Sequence, residues 1–180
     1  MNGRELVVGV TGGIAAYKTA ALVSQLVQDG AGVRVVMTRA AGKFIGRATF
    51  EALTGRPVLT RAFNDPDHPL GPHIDLADAD LLCIAPATAN FLAKAALGLA
   101  DDLLSTLYLA FKGSVLMAPA MNDAMWEQPA VQRNVEQLKA DGVQFVGPSE
   151  GWLSCRTTGK GRMAEPEQIR ESIAKLLESA

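Results

Sequence analysis

Five short apolar runs, separated by longer amphipathic stretches, set the pattern of this chain. They fall at residues 6–10, 33–37, 81–85, 115–118 and 143–146. A run this short that is apolar at nearly every position, rather than at alternate ones, predicts a strand buried on both faces. Most of the gaps hold helix-like stretches, at 14–28, 44–53, 91–111 with a break near Gly98, and 130–140. A last amphipathic helix is predicted over 166–177, with Ile169, Ile173, Leu176 and Leu177 on one face. Pro166 sits in its first turn, where a missing N–H costs nothing. Strands that alternate with helices call for a parallel sheet with right-handed crossovers and helices on both sides. The expected fold is α/β, a three-layer α/β/α arrangement around a doubly wound parallel sheet, as a single domain over residues 1–180. Its ligand is expected at the carboxyl ends of the strands.

Composition narrows the function. A chain of 180 residues with 48% hydrophobic and 20% charged residues buries a core without staples. Its net charge of -2 gives no cationic face for nucleic acid or an anionic membrane. Two cysteines, Cys83 and Cys155, are too few for a disulfide framework, and Cys83 lies inside a predicted strand as inert packing. The N-terminus lacks a signal-peptide pattern, and no apolar run reaches the roughly 20 residues needed to span a bilayer. A cytoplasmic protein is expected.

The fourth strand empties into Pro119-Ala120-Met121-Asn122-Asp123-Ala124-Met125-Trp126. Two methionines and a tryptophan around one amide have the composition of a pocket wall that orients a ligand, although the same residues also cap cores. After the first strand comes Thr11-Gly12-Gly13-Ile14-Ala15-Ala16-Tyr17-Lys18. Paired glycines there let backbone N–H groups approach an anion at a helix N-terminus, and they equally permit a tight turn. This is not a dinucleotide fingerprint, because the second strand ends in Thr38-Arg39 without the acidic residue that would hold a ribose. The third strand runs into Pro86-Ala87-Thr88-Ala89-Asn90, where the topology is expected to switch sides. Thr88 and Asn90 are good helix caps, and their small neighbours would let a planar ring or phosphate come close. Two irregular stretches, 64–72 and 148–165, are long enough to be functional loops over a site. His73, just after the first of them, is the natural base of the chain, whereas His68 looks solvated. Cys155 lies in the second, a Gly-rich loop beside Arg156, Lys160 and Arg162, a setting that depresses a thiol pKa. No second Cys or His has ligand spacing, so no metal site is expected. A Cys–His protease would need an oxyanion-hole signature, and none is present.

Together these motifs resemble the homo-oligomeric flavin-containing cysteine decarboxylases over nearly the whole chain. Pro119–Trp126 matches that family's P-x-M-N-x-x-M-W signature at every fixed position. Residues 86–91 resemble its P-A-S-A-N-T motif, with Thr88 for serine and Phe91 for the final threonine. Ser154-Cys155-Arg156-Thr157-Thr158-Gly159-Lys160-Gly161-Arg162-Met163 resembles its A-C-G-x-x-G-x-G-R-M loop, with Arg156 in place of a glycine. If that glycine has positive φ, Arg156 is strained or the loop has shifted, or else Arg156 contacts the substrate phosphate.

The resemblance implies a Rossmann-like flavoprotein that binds FMN through Gly13, Ile14, Ala15, Thr38, Thr88, Ala89, Asn90 and Ala120. The implied activity is decarboxylation of 4′-phosphopantothenoyl-L-cysteine to 4′-phosphopantetheine in coenzyme A biosynthesis. The substrate thiol is oxidised, CO₂ leaves, and the resulting enethiolate is reduced again. In that scheme His73 is base or electrostatic partner, Asn122 fixes the substrate carboxylate with Met125 beside it, and Cys155 protonates the enethiolate. Also implied is a homotrimer or homododecamer with FMN at subunit interfaces. No ligase-like segment follows Ala180, so a separate phosphopantothenate–cysteine ligase is expected. Lantibiotic-type peptidyl-cysteine decarboxylases typically lack the cysteine, non-catalytic FMN-binding regulators commonly lose the histidine or cysteine, and flavin prenyltransferases lack the Asn122 signature.

Overall fold

The computed structural model describes residues 1–63 and 69–179. His68, and residues 64–68 of the first irregular stretch, lie outside the described residues. The central strands are β1 (Glu5–Val10), β2 (Gly32–Met37), β3 (Leu81–Ala87), β4 (Ser114–Pro119) and β5 (Gln144–Phe145). They form one parallel sheet in the order β2-β1-β3-β4-β5. The chain therefore leaves β1 toward one edge and returns from β2 to the other side of β1. That reversal puts the topological switch between β1 and β3, as the doubly wound pattern requires.

Alternate residues of these strands feed two cores. Leu6, Val8 and Val10 pack in one core with α1 (Ala16–Gln28), α2 (Arg47–Thr54) and α8 (Pro166–Ser179). Val7, Leu82 and Ile84 pack in the other with α4 (Ala89–Leu97), α5 (Leu103–Ala110) and α7 (Pro129–Ala140). Each fully buried Leu, Ile or Phe contributes about 1.5–3 kcal/mol relative to exposure, which is why the strands carry no polar face. The helix break expected near Gly98 is real: Gly98 ends α4, and Asp102 and Ser105 start α5 with a reciprocal capping box.

Three features differ from the sequence expectation. The stretch 148–165 contains an antiparallel hairpin, β6 (Ser149–Trp152) and β7 (Thr158–Arg162). Its Gly, Lys and Thr residues carry no alternating apolar face, so a strand left no periodic mark. Two short helices, α3 (Pro72–Leu76) and α6 (Asp123–Trp126), are likewise too brief to show a period. The fifth strand shrinks to Gln144–Phe145 at the sheet edge, where only β4 pairs with it.

Candidate functional site

At the switch point the loops after β1 and β3 are tied together through one buried hydroxyl. Thr11 Oγ1 donates to the Pro86 carbonyl at 2.6 Å and accepts from the Thr88 N–H at 3.2 Å. The two glycines of the first turn have different uses. A Cβ on Gly12 would lie 2.3 Å from the Ala40 Cβ, so Gly12 serves close packing of the β1 and β2 loops. Gly13 is less crowded, since a Cβ there would meet the Thr88 methyl at 3.4 Å and the Pro86 ring at 3.8 Å in ordinary contact. The loops enclose a cleft of about 720 Å³, within the range of small-molecule sites. Gly13, Thr38, Thr88, Ala89, Asn90 and Ala120 line it, together with Met125 and the cations Arg39, Lys43 and Lys94. Phe91 is absorbed into the core, where its ring meets Tyr108 edge-on at 6.3 Å.

The exit of β4 forms the next wall. The Ala120 N–H bonds to the Ala87 carbonyl at 3.1 Å, continuing the sheet beyond its last strand residue. Asn122 then caps α6, its Oδ1 accepting from the Met125 N–H at 3.3 Å. Trp126 turns into the core, whereas Met125 remains half exposed on the cleft. The apolar payload of this segment is thus divided between an anchor and a wall.

The hairpin lies across this segment. Met121 N–H donates to the Gly161 carbonyl at 3.0 Å. A Cβ at Gly161 would come within 2.4 Å of the Met121 carbonyl oxygen, and one at Gly159 within 2.6 Å of the Asp123 carboxylate. Only glycine lets β7 approach so closely. At the tip, Arg156 N–H bonds to the Leu153 carbonyl at 2.9 Å and Leu153 N–H to the Thr157 carbonyl at 2.8 Å. This is a tight turn followed by a left-handed residue, and that residue is Arg156, with φ of 69°. Among the described residues it is the sole non-glycine with positive φ. The arginine therefore occupies a conformation that favours glycine, the first of the possibilities that the departure from the resembled motif left open.

The turn delivers Cys155 to Asn122. Asn122 Nδ2 donates to the Cys155 sulfur at 3.2 Å, and Thr157 Oγ1 lies 3.1 Å from it. These contacts, the Thr157 hydroxyl first and the Asn122 amide next, hold the thiol pKa below its ordinary value. Asn122 and Cys155 line a second cavity of about 280 Å³ with Ile14, Ala15, Tyr17, Lys18, Trp152 and Arg162. It shares Gly13, Ala120 and Met121 with the larger cleft, so the two spaces adjoin. The structure thus brings Asn122 and Cys155 together and gathers all eight residues of the expected flavin set around two touching cavities.

His73 is not among them. It lies on α3 and lines neither cavity, and its Nδ1 is buried without a hydrogen-bond partner. Lys18 and Arg162 line the smaller cavity with the thiol and both bind Glu165, and the separation of 147 residues between Lys18 and Glu165 hides that grouping from the sequence. The only available signal was that they flank the two glycine-rich motifs. Among the described residues no cluster of three His, Cys, Asp or Glu side chains could hold a metal ion, and no helix is long and apolar enough to cross a membrane.

A family model described as Flavoprotein matches residues 1–178. The coenzyme A biosynthesis bifunctional protein CoaBC of Bacillus subtilis is 49% identical over 94% of this chain, and that of Haemophilus influenzae 46% over 97%. These matches cover 42% and 44% of the relatives, so the chain spans less than half of their length. Among solved structures, the FMN-dependent cysteine decarboxylase SpaF is 36% identical with a TM-score of 0.83, covering 98% of this chain and 97% of its own. A mutant PPC decarboxylase complexed with pantothenoylaminoethenethiol is 30% identical with a TM-score of 0.86, covering 97% of this chain and 98% of its own.

Proposed function

Because this chain belongs to the Flavoprotein family, we propose that it binds FMN in the larger cleft and decarboxylates 4′-phosphopantothenoyl-L-cysteine to 4′-phosphopantetheine. The observation that carries this reading is the Asn122–Cys155 contact of 3.2 Å in a cavity that opens onto that cleft. The residues present fit the cofactor: backbone without a side chain at Gly13, small side chains at Ala89 and Ala120, and Arg39 and Lys43 for its phosphate. When bound, FMN supplies a reversible two-electron oxidation that no side chain can provide.

The protein's own part is orientation and proton traffic. A carboxylate on an sp³ carbon leaves as CO₂ only if the electron pair left behind on that carbon can delocalise. Oxidising the substrate thiol to a thioaldehyde creates the sink, and loss of CO₂ then leaves an enethiolate. Asn122 uses its Oδ1 on the Met125 N–H and one N–H on the Cys155 sulfur, which leaves its other N–H for the substrate carboxylate. Cys155, with its sulfur at the cavity wall, gives a proton to the enethiolate carbon so that the two electrons can return as hydride. Met125 contributes apolar surface on the cleft side. His73 acts as base or electrostatic partner from a neighbouring subunit of a homotrimer, alone or within a dodecamer. What supports this is its place outside both cavities and its unpartnered Nδ1. A phosphopantothenate–cysteine ligase is the partner such a substrate calls for. Two unpaired cysteines support a cytoplasmic setting.

The likeness to SpaF, a cysteine decarboxylase, leaves one alternative of the same chemistry, a peptidyl cysteine as substrate. The test is direct. The purified protein should be yellow, and mass spectrometry should show substrate minus CO₂ with the full hydrogen count of phosphopantetheine. A colourless protein without turnover sinks the reading, and turnover of a peptide alone replaces it with the alternative.

A further inference from the structure

The hairpin that carries Cys155 is held at its base by a charge cluster that the reaction above leaves unused. Glu165 sits between β7 and α8, and one of its oxygens, Oε1, accepts from two cations. The Lys18 ammonium lies at 2.9 Å and the Arg162 guanidinium at 2.6 Å. Lys18 belongs to α1, its side chain is only 9% exposed, and its one other contact of this kind is the Met163 carbonyl at 3.4 Å. Glu165 is fixed in turn by its backbone. Its N–H bonds to Gln168 Oε1 at 3.0 Å, and its carbonyl accepts from the N–H groups of Gln168 and Ile169 as α8 begins. The carboxylate is therefore the joint at which α1, β7 and α8 meet.

An exposed ion pair would contribute little, but a lysine withdrawn from water must have its charge answered. The cluster therefore has a preferred geometry, and Arg162 is the last residue of the strand that leads back to the thiol. The remaining contacts of β7 with the Asn122 segment are permissive. Gly159 and Gly161 allow close approach, and one backbone bond, Met121 to Gly161, spans it. Within the hairpin the register of β7 is set by its turn and by pairing with β6, so what these few contacts leave open is where the hairpin as a unit lies on the Asn122 segment.

We propose that Glu165 is a positioning residue for Cys155: by fixing Arg162 against Lys18 it anchors the base of the hairpin over the Asn122 segment and so delivers the thiol to the Asn122 amide. The assignment rests on Cys155 as proton donor, but its test does not need turnover. Cys83 is fully buried, so iodoacetamide labels Cys155 alone in the folded protein. Labelling is measured against pH on the protein as purified, for wild type, Glu165→Gln, Glu165→Ala, Asn122→Ala and the Asn122→Ala/Glu165→Ala double variant. Losing the amide contact should raise the midpoint and slow labelling at neutral pH about threefold in Glu165→Ala, and less in Glu165→Gln, which keeps an oxygen for Lys18. Because Glu165 acts through Asn122, the double variant should label no more slowly than Asn122→Ala. A wild-type profile in Glu165→Ala, additive slowing in the double variant, or labelling of Cys83, which would report unfolding, each overturns the proposal. A wild-type protein that fails to decarboxylate would sink the functional reading instead and leave the labelling result standing.

Discussion

Cys155 is exposed, and its thiol is tuned by two neighbours within hydrogen-bond distance rather than by burial. The Thr157 hydroxyl is the larger influence, so Thr157→Val should raise the thiol midpoint more than Asn122→Ala does, as read from alkylation against pH. Cys155→Ser removes the proton donor and leaves the earlier steps intact. It should release a product two mass units lighter than phosphopantetheine, and normal product from that variant would refute the role. Arg156 makes a different point, because its side chain is unrelated to the conformation that its position demands. A left-handed non-glycine costs about 1–2 kcal/mol, partly offset by the extra freedom glycine has when unfolded. Arg156→Gly should therefore be neutral or mildly stabilising in a urea titration, and Arg156→Val should be the less stable of the two by about 1 kcal/mol. The substitution was visible in the sequence as a departure from a motif. That it sits at φ of 69° required the turn itself.

Elements with a strong period or full burial were legible, and those held by contacts distant in sequence were not. The strands β1 to β4, and the helices with a wide apolar face, fall close to their expected positions because their pattern alone selects them. The hairpin escaped because Gly159 and Gly161 are there for Met121 and Asp123, which a local pattern cannot reveal. In the same way Asn122 stood out by composition, but its contact with Cys155 crosses 33 residues. The opposite end of the strands shows another distant tie. Glu5 at the start of β1 accepts from Arg56 through both guanidinium ends, at 2.6 and 3.0 Å. The Arg56 guanidinium holds the Glu5 carboxyl below its ordinary value of 4.5. A carboxyl depressed in the folded state stabilises above that ordinary value, and the gain is lost as pH falls through the folded one. Glu5→Gln should lower stability at neutral pH by less than about 1 kcal/mol, since the pair is partly exposed, and should flatten the decline in acid. An unchanged acid profile would show that the pair does not couple folding to protonation.

At the scale of the whole molecule, one chain holds the thiol, the amide and the cleft proposed for the flavin, and sets its histidine apart. The surface around the smaller cavity is correspondingly apolar, with Ile14, Tyr17 and Trp152 all more than half exposed. Patches of that kind mark contact surfaces. The proposed oligomer would cover them and bring His73 of one subunit to the cavity of the next. This arrangement makes a prediction that a single-chain site cannot satisfy. His73→Asn should halt before CO₂ is lost, and Cys155→Ser should stop at the enethiol, so neither variant alone should yield phosphopantetheine. Co-refolded in equal amounts, they should form mixed oligomers in which about one interface in four pairs an intact His73 with an intact Cys155, restoring about a quarter of wild-type turnover. The measurement is product mass on mixed and unmixed samples, with sedimentation confirming the assembly. Equal mixtures as inactive as either parent would place all three residues within one chain.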